Sequence, residues 1–249
     1  MAKKIWIITM FPNFFTPLKE VGVVGQVFQG LRGDKIDLET VYIPDYSERG
    51  FKGVDSAPYG GGPGMVMRAD ILKNALVEGV IKKGNYSEEN FKEELSIVFT
   101  APRGKVWSNE TCKSFAKNYF ASDSAKDLVF ICGRYEGIDE RFIEKYIDEV
   151  YCIGDYVLSG GEIAVMAIID SAMRFSEGAL GNSESALEDS FEQDLLEHPQ
   201  YTRPAVFDGM EVPAVLSSGD HKKIEKWKHD KKVEMTKLWR PNLIKKENK

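Results

Sequence analysis

Apolar and β-branched residues gather in five short runs: Lys4–Phe11 (KIWIITMF), Leu38–Ile43 (LETVYI), Leu95–Thr100 (LSIVFT), Asp127–Cys132 (DLVFIC) and Glu149–Ile153 (EVYCI). Runs this continuous read as strands buried on both faces, the mark of a parallel sheet covered by helices. Segments compatible with helix lie between them, at about Asn13–Leu31, Ala69–Lys82, Asn109–Phe120 and Ile138–Tyr146. Strand alternating with helix predicts an α/β domain.

In such sheets ligands bind beyond the carboxyl ends of the strands. The loops after the third, fourth and fifth runs, TAPRGK, CGRYEGIDER and IGDYVLSGGEIA, therefore become the candidate site. Each joins glycine to polar groups where a helix start adds N–H donors and a positive dipole end. Glu162–Phe175 (EIAVMAIIDSAMRF) is apolar nearly all round, which predicts a helix buried on more than one side, with a second subunit able to cover one face. Ser159 and Glu162 have capping-box spacing, so Gly160 and Gly161 fit a tight helix start as well as they fit ligand contact.

Ser176–Ser190 is polar, small and acidic and reads as a linker. Beyond it lies HPQYTRP, then a helix that Ser218 or Asp220 would cap, with Ile224, Trp227, Met235, Leu238 and Trp239 on one face and Lys231 snorkelling from it. Net charge is minus 6 over 249 residues, but from His221 onward 11 Lys and Arg face 4 Asp and Glu, net plus 7, which leaves minus 13 on the rest. A basic end on an acidic body suits either a solvated helix face or a phosphate-binding surface.

Other chemistry is disfavoured. Cys112, Cys132 and Cys152 are odd in number and far apart, which predicts buried free thiols. His198, His221 and His229 lack metal-ligand spacing, so no residue is assigned to a metal. No apolar run is long enough to span a bilayer and the N-terminus does not read as a signal peptide, so a cytoplasmic protein is expected. The stretch PYGGGPGM, Pro58–Met65, fails both G-x-G-x-x-G and the P-loop pattern, and no G-x-S-x-G marks a nucleophilic triad.

Taken in order, IITMFPNFF, PYGGGPGMVM, CGRYEGIDER, IGDYVLSGGEIAVMAIIDSAMR, EDSF, HPQYTRP and VPAVLSSGDH run from Ile5 to near Trp239 and resemble the TrmD family of tRNA (guanine-N1)-methyltransferases. The resemblance implies a SPOUT-type α/β fold, a parallel sheet with a deep trefoil knot, in an N-terminal domain at 1–180. A linker at 181–188 and a small helical tRNA-binding domain at 189–249 would follow. It also implies a homodimer with the active site at the subunit interface, tRNA as partner, and no part for membrane or DNA. General topology argues the other way, since threaded chains are rare.

The implied cofactor is S-adenosylmethionine, held in the loops by Gly133 and Ile153, Gly154, Asp155, Tyr156, Val157 and Leu158, with Pro102, Tyr135, Glu136, Gly137, Gly160 and Gly161 as neighbours. Magnesium assistance is compatible with the family, although no ligand cluster specifies it. The implied reaction is methyl transfer to N1 of guanosine 37, just 3′ of the anticodon. Asp189 of EDSF would be the general base, and Arg174 would stabilise negative charge on O6. Taken without the resemblance, Asp189 reads as a helix cap and Arg174 as a helix-end cation. His198, Tyr201 and Arg203 become candidate RNA contacts, as do Tyr59 and Gly61 beside the space for an extruded guanine. PYGGGPGM as no more than a stiff turn remains the alternative for that loop. Two departures from the family pattern stand out: Ala101 where a serine is expected, and Ser176–Glu177 where an apolar residue and proline are usual. A catalytically silent RNA-binding module of the same fold is the competing reading.

Overall fold

The computed structural model describes residues 3–48, 53–121, 126–179, 189–191 and 194–244. The chain divides into two units, Met1–Gly181 and Asn182–Lys249. The linker expected at 181–188 lies outside the described residues.

The first unit runs β1 (Lys3–Thr9), α1 (Thr16–Glu20), α2 (Gly22–Phe28), β2 (Ile36–Tyr42), the short strands β3 (Asp55–Ser56) and β4 (Val66–Met67), α3 (Ala69–Leu76), α4 (Phe91–Glu94), β5 (Leu95–Val106), α5 (Asn109–Tyr119), β6 (Asp127–Ile131), α6 (Glu140–Tyr146), β7 (Glu149–Cys152) and α7 (Glu162–Met173). Five strands form one parallel sheet in the order β2-β1-β6-β5-β7. Alternate residues of the central strands feed two cores. Ile5, Ile7, Val98, Leu128 and Phe130 pack with Phe15, Phe115 and Ile168 on one face. Trp6, Ile8, Ile97, Val129 and Ile131 pack with Leu72, Leu76 and Phe142 on the other. This two-residue period in a helix-covered sheet is why the runs lack polar alternation.

Burial on both faces does not hold for the outer strands. β2 and β7 are the edges, each paired on one side only, and β2 exposes Glu39 and Tyr42. The helix expected over Asn13–Leu31 is broken, because Val21 is extended and Gly22 takes φ +73°, a left-handed conformation that glycine adopts without strain. The helix expected over Ala69–Lys82 is α3 followed by a π-helical stretch, Val77–Lys82.

α7 has one open face. Ala164, Val165, Ile168, Ile169, Ala172 and Met173 are buried, but Ile163 is 49% exposed and shares its exposed stripe with Ala167 and Asp170. Among the described residues, α7 is therefore covered on one side, because α5 and the sheet pack against a single face. All three cysteines are free and buried.

In the second unit, β8 (Val206–Phe207) and β9 (Met210–Glu211) form an antiparallel hairpin ahead of α8 (His221–Trp239). Asp220 caps α8 by accepting from the Lys223 N–H at 3.2 Å. Ile224, Trp227 and Met235 are half-buried, whereas Leu238 and Trp239 are 64% and 69% exposed, so the expected apolar face does not continue to the helix end. No helix among the described residues is long and apolar enough to cross a membrane.

Candidate functional site

The carboxyl ends of β5, β6 and β7 surround a cavity of about 460 Å³, within the size range of small-molecule sites. Its first wall is not the free loop expected of TAPRGK. β5 pairs Thr100 with Tyr151, then pairs Lys105 with the same residue, so Ala101–Gly104 bulge out of the ladder and Ala101, Pro102 and Arg103 line the cavity. Pro102 has no N–H for a ladder bond and therefore favours a bulge. Gly104 permits the return, because a Cβ there would lie 2.5 Å from the Tyr151 carbonyl carbon.

The second wall is Gly133–Ile138 after β6. The Gly137 N–H turns back to the Arg134 carbonyl at 3.1 Å, and β4 zips onto the outside of this loop. Glu136 N–H donates to Met65 O, Met67 N–H to Gly137 O and Asp139 N–H to Met67 O, each at 3.0 Å. The PYGGGPGM stretch is thus the connection from β3 to β4, with its last residues bracing a wall of the cavity. Its tip projects: a Cβ on Gly60, Gly61 or Gly62 would meet nothing within 4 Å, and Tyr59 is fully exposed.

The third wall runs from Cys152 to Gly161, and the Gly161 N–H donates to the Gly133 carbonyl at 2.9 Å. A Cβ on Gly161 would approach Thr100 Oγ1 to 2.8 Å and the Cys132 and Gly133 backbone to 3.0 Å, so the start of α7 lies directly on the sheet. Here the capping-box expectation fails. The N-cap of α7 is Gly161 with no side-chain cap bond, and Glu162, 0% exposed, turns inward. Glu162 Oε1 accepts from the Thr9 hydroxyl at 2.8 Å, and Oε2 pairs with Arg134 Nη2 at 2.8 Å. Burial pushes the neighbouring Cys132 thiol well up.

Pro102, Gly133, Tyr135, Glu136, Gly137, Ile153, Gly154, Tyr156, Val157, Leu158, Gly160 and Gly161 all line this cavity. Asp155 does not, since its side chain is exposed between two lining residues. Phe99, Thr100, Arg103, Arg134, Ile138 and Glu140 line it too, and sequence reasoning had not singled them out; Ser159, expected only as a cap, also lines it. One signal was available for the Arg134 partner: Glu162 is a charged residue opening a helix that is apolar from Ile163 to Ile169. The walls offer apolar surface, backbone amides and carbonyls, and few charges. Arg103 is paired with Glu140 at 2.8 Å. Such a cavity suits a flat, polar-edged heterocycle.

Arg174 ends α7 and is exposed. α7 begins at the cavity and has twelve residues, so Arg174 lies about 18 Å along the helix from that start. Asp189 belongs to the second unit and is half-buried. His198 is buried, its ring 6.1 Å from that of Trp227, with Nδ1 3.1 Å from the Pro199 carbonyl. Tyr201 is half-exposed beside Trp227, and Arg203 is exposed.

Fold and cavity together define an α/β protein with a small-ligand pocket at the carboxyl edge of a parallel sheet. The family model described as tRNA (Guanine-1)-methyltransferase TrmD matches residues 3–246. Proteins named tRNA (guanine-N(1)-)-methyltransferase are similar over almost the whole chain. The one from Clostridium tetani is 41% identical, covering 100% of this chain and 95% of its own. That from Lactobacillus delbrueckii subsp. bulgaricus is 41% identical over 96% and 88%, and that from Glaesserella parasuis 40% over 96% and 89%. The chain belongs to the TrmD tRNA (guanine-1)-methyltransferase family.

Proposed function

We propose that this protein transfers a methyl group from S-adenosylmethionine to N1 of guanosine 37 of tRNA. The observation that carries the reading is family membership over 3–246, joined to a cavity built from the loop residues that the resemblance assigns to the cofactor. When bound, S-adenosylmethionine supplies an electrophilic methyl carbon. The cavity fits it: Gly133, Gly160 and Gly161 line it without side chains, and a Cβ at Gly133 would come within 2.9 Å of Phe99. Pro102, Tyr135 and Leu158 supply apolar wall, and the amides of Ile153 to Leu158 supply polar edges.

Asp189 accepts the proton from guanine N1. A carboxylate is a weak base for this task, so Arg174 assists by stabilising the charge that builds on O6. The 18 Å length of α7 between cavity and Arg174 supports a site completed by a second protomer, with the Ile163–Ala167–Asp170 stripe in the dimer interface. In this reading 1–180 is the knotted SPOUT domain, 181–188 the linker and 189–249 the helical tRNA-binding domain, all working in the cytoplasm. Tyr201, Arg203 and the α8 lysines face RNA, His198 holds their segment against Trp227, and Tyr59 and Gly61 meet the extruded guanosine. Magnesium has no ready-made cage, since no three His, Cys, Asp or Glu converge among the described residues.

Incubation with labelled S-adenosylmethionine and unmodified tRNA carrying guanosine 37 should yield labelled 1-methylguanosine. Asp189→Ala should abolish transfer while S-adenosylmethionine affinity stays nearly unchanged. An unlabelled product beside an active control enzyme would reject the reading in favour of a silent RNA-binding module.

A further inference from the structure

Glu162 is the one fully buried carboxylate among the described residues. A buried ion pair is weak evidence of stabilisation, since well-packed apolar residues often do as well. Its placement suggests another use. Arg134, whose side chain is 15% exposed, pairs with Glu162 through Nη2 and donates from Nη1 to the Ser159 carbonyl at 3.1 Å. Its guanidinium lies over the Phe11 ring, 4.3 Å from the centroid, with Phe14 at 5.8 Å. One planar group therefore gathers three segments remote in sequence: the turn after β1, the loop after β6 and the approach to α7. The last two are walls of the cavity.

Two further features mark this junction. A Cβ on Gly160 would lie 2.2 Å from Arg134 Nε, so that position is kept bare for the arginine to pass. Arg134 Nε is buried without a hydrogen-bond partner among the described residues, and Glu162 Oε2 has the Arg134 ion pair alone.

We propose that Arg134, held by Glu162, is the positioning residue of the pocket: it fixes the Ser159 carbonyl, and with it the Ile153–Gly161 wall, at the distance from the Gly133–Gly137 loop that S-adenosylmethionine requires. The inference rests on the methyltransferase reading.

The test is calorimetric S-adenosylmethionine binding to the full chain, with thermal unfolding measured alongside. The double variant Arg134→Met with Glu162→Leu removes the pair and keeps apolar packing but leaves the buried Thr9 hydroxyl without its acceptor, so the melting temperature should fall by several degrees while unfolding stays cooperative. Affinity should fall by about tenfold or more, as for loss of a hydrogen bond to a charged group. Arg134→Lys keeps a cation beside Glu162 but cannot also span to Ser159. It should raise KM for S-adenosylmethionine about fivefold or more while kcat at saturation stays near that of the parent. Folded variants that bind within about twofold of the parent overturn the proposal, and if the double variant does not fold, Arg134→Lys decides. A parent that fails to bind S-adenosylmethionine overturns the methyltransferase reading and this inference with it. A parent that binds while the variants bind equally well overturns this inference alone.

Discussion

Single residues behaved according to what surrounded them more than according to their type. Glu162 has the spacing of a capping residue, yet Thr9 and Arg134, brought from 153 and 28 positions away, offer its carboxylate stronger partners than the backbone at Ser159. His198 has the type of an RNA contact but is buried against Trp227. Asp155 sits inside a motif that otherwise lines the cavity but is exposed and outside its lining. The cysteines followed expectation because thiols pack as small apolar groups. Burial pushes Cys112 and Cys132 upward, and Cys152 is buried as well. A disulfide-exchange reagent at pH 8 should therefore leave Cys112 and Cys132 unlabelled in the native protein, reach the cavity-lining Cys152 slowly, and label all three after denaturation, read by absorbance. Rapid labelling of the native state would contradict their burial.

At the scale of elements, the strand runs were legible because their apolar content follows from burial in a covered sheet, whereas edges and breaks were not. The β3–β4 connection shows why a glycine motif needs its surroundings. Gly60, Gly61, Gly62 and Gly64 all take positive φ, but only Gly64 also faces a neighbour, with its Cβ position 2.4 Å from Glu136 Oε1. Gly61→Ala should lower stability by about 1 kcal/mol through left-handed strain alone and leave S-adenosylmethionine affinity intact. Gly64→Ala should weaken that affinity as well, by displacing the Glu136 wall. Urea unfolding and calorimetry separate the two, and equal effects on affinity would reject the distinction.

β7 carries a second testable element. Tyr119 and Tyr151 both donate to Glu149, and burial, then the Glu149 bond, push the Tyr119 phenol up to about 12. The unfolded value is near 10, so the stability this phenol contributes is intact below about pH 10 and is lost as pH rises through about 12. Tyr119→Phe should flatten the fall in unfolding free energy over that window. An unchanged alkaline slope would remove Tyr119 from the account.

For the whole molecule, the cavity gathers one set of proposed residues, while Arg174 stands a helix length from it. A site shared between protomers makes a clear prediction. Asp189→Ala and Gly133→Val, each inactive alone, should recover methyl transfer when unfolded together and refolded as mixed dimers. A mixture that stays inactive while light scattering shows dimers would place all the groups within one chain.

The sequence by itself determined the α/β class, the parallel strands and the three loops that make the pocket. Those features depend on local periodicity and on glycine and proline chemistry, which neighbours in the chain dictate. The motifs, taken in order, also led to the family. Only the tertiary structure decided that TAPRG is a bulge of β5, that PYGGGPGM braces the wall after β6, and that Glu162 reaches Thr9 and Arg134. Each of these depends on which distant segment lies alongside, and a buried charge takes its partner from the fold around it.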